Sequence, residues 1–131
     1  EGGQTNDFRP LILVAEDDDS NFKLIKAIIG KKCDIQWAKN GEEIVALFKE
    51  YGKEAKAILM DIKMPVMNGL DATKIIREEN KEIPIIMQTA YAFSSDKENA
   101  MNAGASEVLV KPITLSILRG TLTKYFPELV W

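Results

Sequence analysis

Five short apolar runs punctuate the chain: Leu11–Ala15, Ile35–Ala38, Ala57–Met60, Ile83–Met87 and Val108–Val110. Most are rich in Ile, Val and Leu and do not alternate with polar residues, the pattern of strands buried on both faces of a parallel sheet. Helical periodicity fills the intervals. Ile44, Leu47, Phe48 and Tyr51 recur at i, i+3, i+4 and i+7, with Asn40 placed to cap the helix and Gly52 to stop it. Phe22, Ile25, Ile28 and Ile29 form a similar stripe ending at Gly30, and Ala72, Ile75 and Ile76 mark a third helix. Leu115, Leu118, Leu122 and Tyr125 mark the last, which stops before Pro127. The segment around Asp96–Ala103 has only a weak apolar face of Met101 and a few alanines, and is expected to be the most loosely packed of the five. Alternating β and α units predict an α/β fold, a parallel sheet with helices on both faces and right-handed crossovers. Glu1–Pro10 is polar and aperiodic and reads as a linker or an appended remnant, with one domain over residues 11–131.

The length of 131 residues suits a single core, and 46% hydrophobic with 28% charged residues is ordinary for a globular protein. A net charge of −3 carries no footprint for nucleic acid, and Lys31–Lys32 reads as a solvated helix end. Cys33 is a lone cysteine, expected as a small buried residue at a strand start in a reducing, cytoplasmic compartment. The absence of histidine removes Ser-His and Cys-His catalysis and His-ligated zinc. No apolar run has the length of a membrane span, so no membrane contact is expected.

Ligands of open parallel sheets bind at the carboxyl edge, so the residues that end each run matter most. Glu16, Asp17, Asp18 and Asp19 follow the first run and Asp61 the third; Thr89 closes the fourth and Lys111 follows the fifth. The second, ending at Ala38–Lys39, offers little chemistry. Asp19 or Ser20 capping the next helix would explain part of the acidic run. It explains Glu16 and Asp17 poorly, because like charges crowded between strand end and helix start need a compensating cation. With Asp61 they form a hard, oxygen-only set suited to Mg²⁺. A carboxylate beside Mg²⁺ can act as a nucleophile toward phosphorus. Lys111 and the Thr89 hydroxyl would then stabilise the transferring phosphoryl oxygens. Singly, an Asp, a Thr or a Lys-Pro at a strand end is more often structural; together they meet the needs of one phosphoryl site.

These stretches resemble the receiver domain of two-component response regulators: Ile12-Leu-Val-Ala-Glu-Asp-Asp18, Ile58-Leu-Met-Asp-Ile-Lys-Met-Pro-Val-Met-Asn-Gly69, Ile83-Pro-Ile-Ile-Met-Gln-Thr-Ala90 and Val108-Leu-Val-Lys-Pro112. The resemblance implies a three-layer flavodoxin-like (βα)5 fold with sheet order 2-1-3-4-5 and Asp61 as phosphoacceptor. It implies a metal site from Glu16, Asp17, Asp61 and the backbone carbonyl of Lys63, with Asp17 the nearer ligand and Glu16 acting through water. Thr89 and the Ala90 amide would bind the phosphoryl group, Lys111 would pair with it, and the Lys111–Pro112 bond is often cis. The implied partner is a histidine kinase or phosphotransfer domain carrying phosphohistidine, and the chain is expected as a monomer or weak homodimer. The Met64–Ala72 wording resembles receivers of hybrid histidine kinases. Two departures stand out. Glu16 holds a position often taken by Asp, and Val108 the position of an aromatic ring that swings as the threonine approaches phosphate. Tyr91 or Phe93 is the expected substitute reporter, and Lys63 and Tyr91 should flank the path of attacking water.

Two rivals remain at this level. An aspartate-nucleophile phosphatase of the haloacid-dehalogenase type needs an acid two residues after Asp61, where this chain has Lys63. A docking-only degenerate receiver would not need Asp61, Thr89 and Lys111 together.

Overall fold

Five strands and five helices alternate along the described chain, each strand nucleated on one of the apolar runs. The computed structural model describes residues 8–91 and 94–131. The elements are β1 (Leu11–Ala15), α1 (Asp19–Ile29), β2 (Asp34–Ala38), α2 (Gly41–Tyr51), β3 (Ala55–Asp61), α3 (Gly69–Glu79), β4 (Ile85–Thr89), α4 (Ser94–Ala103), β5 (Glu107–Val110) and α5 (Leu115–Tyr125). The sheet is parallel throughout, in the order β2-β1-β3-β4-β5.

Its two faces bury separate cores, which is why the strands do not alternate with polar residues. Leu13, Ile58, Met60, Ile85 and Met87 point to one side, where Ile44 and Phe48 of α2 and Ala72 and Ile76 of α3 cover them. Ile12, Val14, Ala57, Leu59 and Ile86 point to the other, against Ile25, Ile28 and Ile29 of α1 and Leu118 and Leu122 of α5. Neighbours such as Ile58 and Leu59 are fully buried on opposite faces, each contributing about 1.5–3 kcal/mol by its removal from water.

Strand ends differ from the apolar runs for local reasons. β3 starts at Ala55 because Leu11 pairs with it before a register shift, and it runs on to Asp61, which pairs with Gln88. Ile83 is buried but lies outside β4. Its N–H donates to Asn80 Oδ1, and Pro84, which has no N–H for a ladder, offers only its carbonyl, to Ile58. Asn40 caps α2 by accepting from the Glu43 N–H, and Asn68 caps α3 by accepting from Asp71. The cap of α1 is Asp18, which accepts from the N–H groups of Ser20 and Asn21. Asp19 and Ser20, the residues expected to cap, lie inside the first turn.

Ala100 and Ala103 are the buried side chains described in α4, and Met101 is 51% exposed, so it faces outward and does not build the apolar face expected of it. Cys33 is buried just before β2, where burial pushes its thiol up to about 11. Phe8 packs near Phe126, and Arg9 bonds to Asp34 and to the carbonyls of Gly30, Lys31 and Cys33, joining residues 8–9 to the domain. Among the described residues, no helix is long and apolar enough to cross a membrane.

Candidate functional site

Register decides which strand-end residues meet. Ala15 of β1 lies opposite Met60 of β3, so Glu16 and Asp61, one residue further along each strand, come side by side at the carboxyl edge. Carboxylate oxygens of Glu16, Asp17 and Asp61 all lie within 4.8 Å of one another. Glu16 is fully buried, Asp61 is 5% exposed, and Asp17 faces solvent. Lys111 reaches in from the end of β5 and donates to Asp61 Oδ2 at 3.1 Å, with Glu16 Oε1 at 3.6 Å. Its backbone is fixed by donation to the Thr89 carbonyl at 2.7 Å, and the Lys111–Pro112 bond is cis.

Three carboxylates face one ammonium, and the electrostatics record the mismatch. Burial, followed by the Asp61 charge, pushes Glu16 up to about 7, with Lys111 pulling the other way. Burial likewise raises Asp61 above the usual carboxylate range, opposed by Lys111. Glu16 Oε1 is buried and accepts no hydrogen bond among the described residues. An unsatisfied buried carboxylate oxygen in an all-oxygen donor set is what a hard divalent cation would satisfy, so the residues fit such an ion.

The acidic loop is anchored by the strand expected to contribute little. Ala38 of β2 accepts from the Glu16 N–H at 2.9 Å, and the Trp37 indole N–H donates to the Glu16 carbonyl at 2.8 Å. Trp37 stacks on Phe22 of α1 at 3.9 Å with ring planes 1° apart, and Lys39 lies over the same indole. Nothing in the hydrophobic pattern signals this backbone anchoring, since Trp37 sits inside the second apolar run like any strand residue. On the other side, Gly69 donates to the Ile62 carbonyl, and a Cβ on it would lie 2.1 Å from the Asp61 carbonyl oxygen. Only glycine lets α3 start that close to the end of β3.

The Thr89 hydroxyl is hydrogen-bonded to Asp96 and Tyr91: it donates to Asp96 Oδ2 in the first turn of α4 at 3.0 Å and accepts from the Tyr91 N–H at 3.1 Å. The pattern around Asp96 predicts only a helix; its partnership with Thr89, seven residues away, has no sequence signal. Ala90 is exposed beside Thr89. Lys63 lies two residues after Asp61, with its ammonium 4.6 Å from the centroid of the Tyr91 ring. Val108 is half-buried against the core on the α2–α3 side. Phe93, the other expected reporter, falls outside the described residues.

The same architecture recurs in known proteins. The chain is 41% identical over 129 residues to hybrid signal transduction histidine kinase I of Dictyostelium discoideum, a match covering 89% of this chain and 7% of that protein. The chain thus spans a small fraction of the hybrid kinase it matches. The receiver domain of sensor histidine kinase PA1611 from Pseudomonas aeruginosa, solved with a magnesium ion in its active site cleft, superposes with a TM-score of 0.83 at 30% identity. That match covers 92% of this chain and 99% of the other. The receiver domain of Ssk1 from Saccharomyces cerevisiae, solved with the phosphotransfer protein Ypd1, gives 0.84 at 28% identity over 93% of each chain. Residues 12–123 match the response regulator receiver domain model, and the chain belongs to that family of two-component signalling.

Proposed function

We propose that this domain is the phosphoacceptor of a phosphorelay, taking a phosphoryl group on Asp61 from a phosphohistidine of a histidine kinase or phosphotransfer domain in a Mg²⁺-dependent step. The observation that carries the reading is Asp61 itself: a buried carboxylate beside two further carboxylates, with the Lys111 ammonium at 3.1 Å. A carboxylate oxygen of Asp61 attacks phosphorus, a P–O bond forms and the P–N bond breaks. The electron pair of that bond stays on the donor imidazole. Lys111, already bonded to Asp61, neutralises developing charge on the phosphoryl oxygens. Glu16, Asp17, Asp61 and the Lys63 carbonyl would hold Mg²⁺, which when bound offsets the charge of phosphoryl and carboxylate together. The Thr89 hydroxyl and Ala90 amide would complete the phosphoryl contacts.

The reaction leaves the domain modified, so it acts as substrate and switch more than as a turnover enzyme. The match to a hybrid histidine kinase supports an origin as the receiver segment of such a protein; the cytoplasmic location is part of the proposal and rests on the lone cysteine. A haloacid-dehalogenase-type phosphatase is disfavoured, since Lys63 stands where its general acid is required. Incubation with acetyl phosphate and Mg²⁺ followed by intact mass tests the proposal. Wild type should gain one acid-labile phosphoryl group and Asp61→Asn none; labelling that survives the substitution refutes it.

A further inference from the structure

Thr89 ends β4 with a buried side chain whose hydroxyl has a single proton to give. That proton goes to Asp96 Oδ2 at 3.0 Å, and the Thr89 hydroxyl oxygen in turn accepts from the Tyr91 N–H at 3.1 Å. The hydroxyl can therefore serve an oxygen at Asp61 only by giving up Asp96. We propose that Asp96 is a positioning residue that holds Thr89 away from the phosphoryl site in the resting domain, so that phosphoryl binding is paid for by release of the first turn of α4. This rests on the reading of Asp61 as phosphoacceptor.

Three features support the assignment. The bond has a carboxylate acceptor, which makes it stronger than a neutral pair. Its far end is on the helix with the least apolar anchoring, where Ala100 and Ala103 are the buried side chains described, so little else resists movement there. Val108 offers no ring to couple Thr89 to the surface and is stiff about χ1. Asp96 gives that coupling a route in which one hydrogen bond is exchanged for another.

The test is a four-variant cycle read by calorimetric titration with beryllium fluoride, a phosphoryl mimic, in the presence of Mg²⁺. Asp96→Ala frees Thr89 and should tighten binding about tenfold, the equilibrium worth of a charge-assisted bond at a half-exposed site. In a Thr89→Val background the same substitution should change affinity by less than about twofold. Asp96→Asn keeps an acceptor oxygen and should fall between wild type and Asp96→Ala. A gain of equal size in the Thr89→Val background, or the full gain with Asn, would mean a through-space charge effect and overturns the proposal. So does an unchanged affinity in Asp96→Ala. Amide exchange over residues 94–103 should rise when beryllium fluoride binds wild type; unchanged protection overturns the release of α4. If wild type binds no beryllium fluoride and takes no phosphoryl from acetyl phosphate, the reading of Asp61 fails as well, a result distinct from a failure of Asp96 alone.

Discussion

Raising the pH of the metal-free protein forces Glu16 to ionise next to Asp61 inside the fold, and that should cost stability. Burial, then the Asp61 charge, raises Glu16 from its ordinary 4.5 to about 7, whereas the unfolded chain returns it to water. Between those values the folded state binds more protons than the unfolded state, so stability falls as pH rises. The penalty is absent well below 4.5, grows through the interval and levels off above about 7. From about pH 5 to about pH 8 the two titration curves differ by roughly 2–3 kcal/mol. That is a large share of the about 5–15 kcal/mol that stabilises an ordinary domain. Screening by solvent does not reduce it much, because the Glu16 side chain is 1% exposed. Asp61 is raised in the same direction, chiefly by burial, and adds to the slope. Lys111 is raised on balance by Asp61 and Glu16 against the effect of burial, so it stays charged over this interval and contributes a constant. Urea denaturation in a chelator, repeated across pH for wild type and Glu16→Gln, isolates the effect. Wild type should lose stability with pH and Glu16→Gln should lose clearly less; Mg²⁺ should restore wild type at the alkaline end. Equal slopes in the two proteins would refute the reasoning.

Other sites offer further checks. Lys111→Met removes the ammonium 3.1 Å from Asp61, and acetyl phosphate labelling of Asp61 should slow by about 100-fold or more; a near-normal rate would show that Lys111 is dispensable. In Gly69→Ala the new Cβ would lie 2.1 Å from the Asp61 carbonyl oxygen and 2.9 Å from Met60 Cγ. Because backbone must shift, the urea midpoint should fall by the equivalent of about 2 kcal/mol or more, with slower labelling. Val66 holds a φ of 69° while 72% exposed, a left-handed conformation costly for a β-branched residue. Val66→Asn should stabilise the domain by about 1 kcal/mol in the same denaturation assay, and a loss would show that the strain is compensated.

Local pattern made much of this molecule legible. The unbroken apolar runs specified strands buried on both faces, and Asn40 and Gly52 bounded α2 where capping chemistry placed them. The strand-end acids, Thr89 and Lys111 stood out because parallel topology gathers them at one edge. Where prediction slipped, a neighbour distant in sequence had decided the outcome. β3 extends beyond its apolar run because flanking strands pair with Ala55 and Asp61. Asp18, rather than Asp19 or Ser20, caps α1, since the side chain that caps depends on where the backbone turns after β1.

Sequence alone thus determined the elements, their order and the chemical types at the carboxyl edge, because these follow from periodicity and composition within short windows. Tertiary structure decided how those groups are poised. The β1–β3 register sets Glu16 against Asp61 in a buried, under-neutralised pair, and Trp37 ties the acidic loop to β2. The proton of the Thr89 hydroxyl goes to Asp96 across the start of α4. Each of these depends on distances and burial between segments brought together only by folding, and hydrophobic pattern does not encode which polar atom takes a given proton.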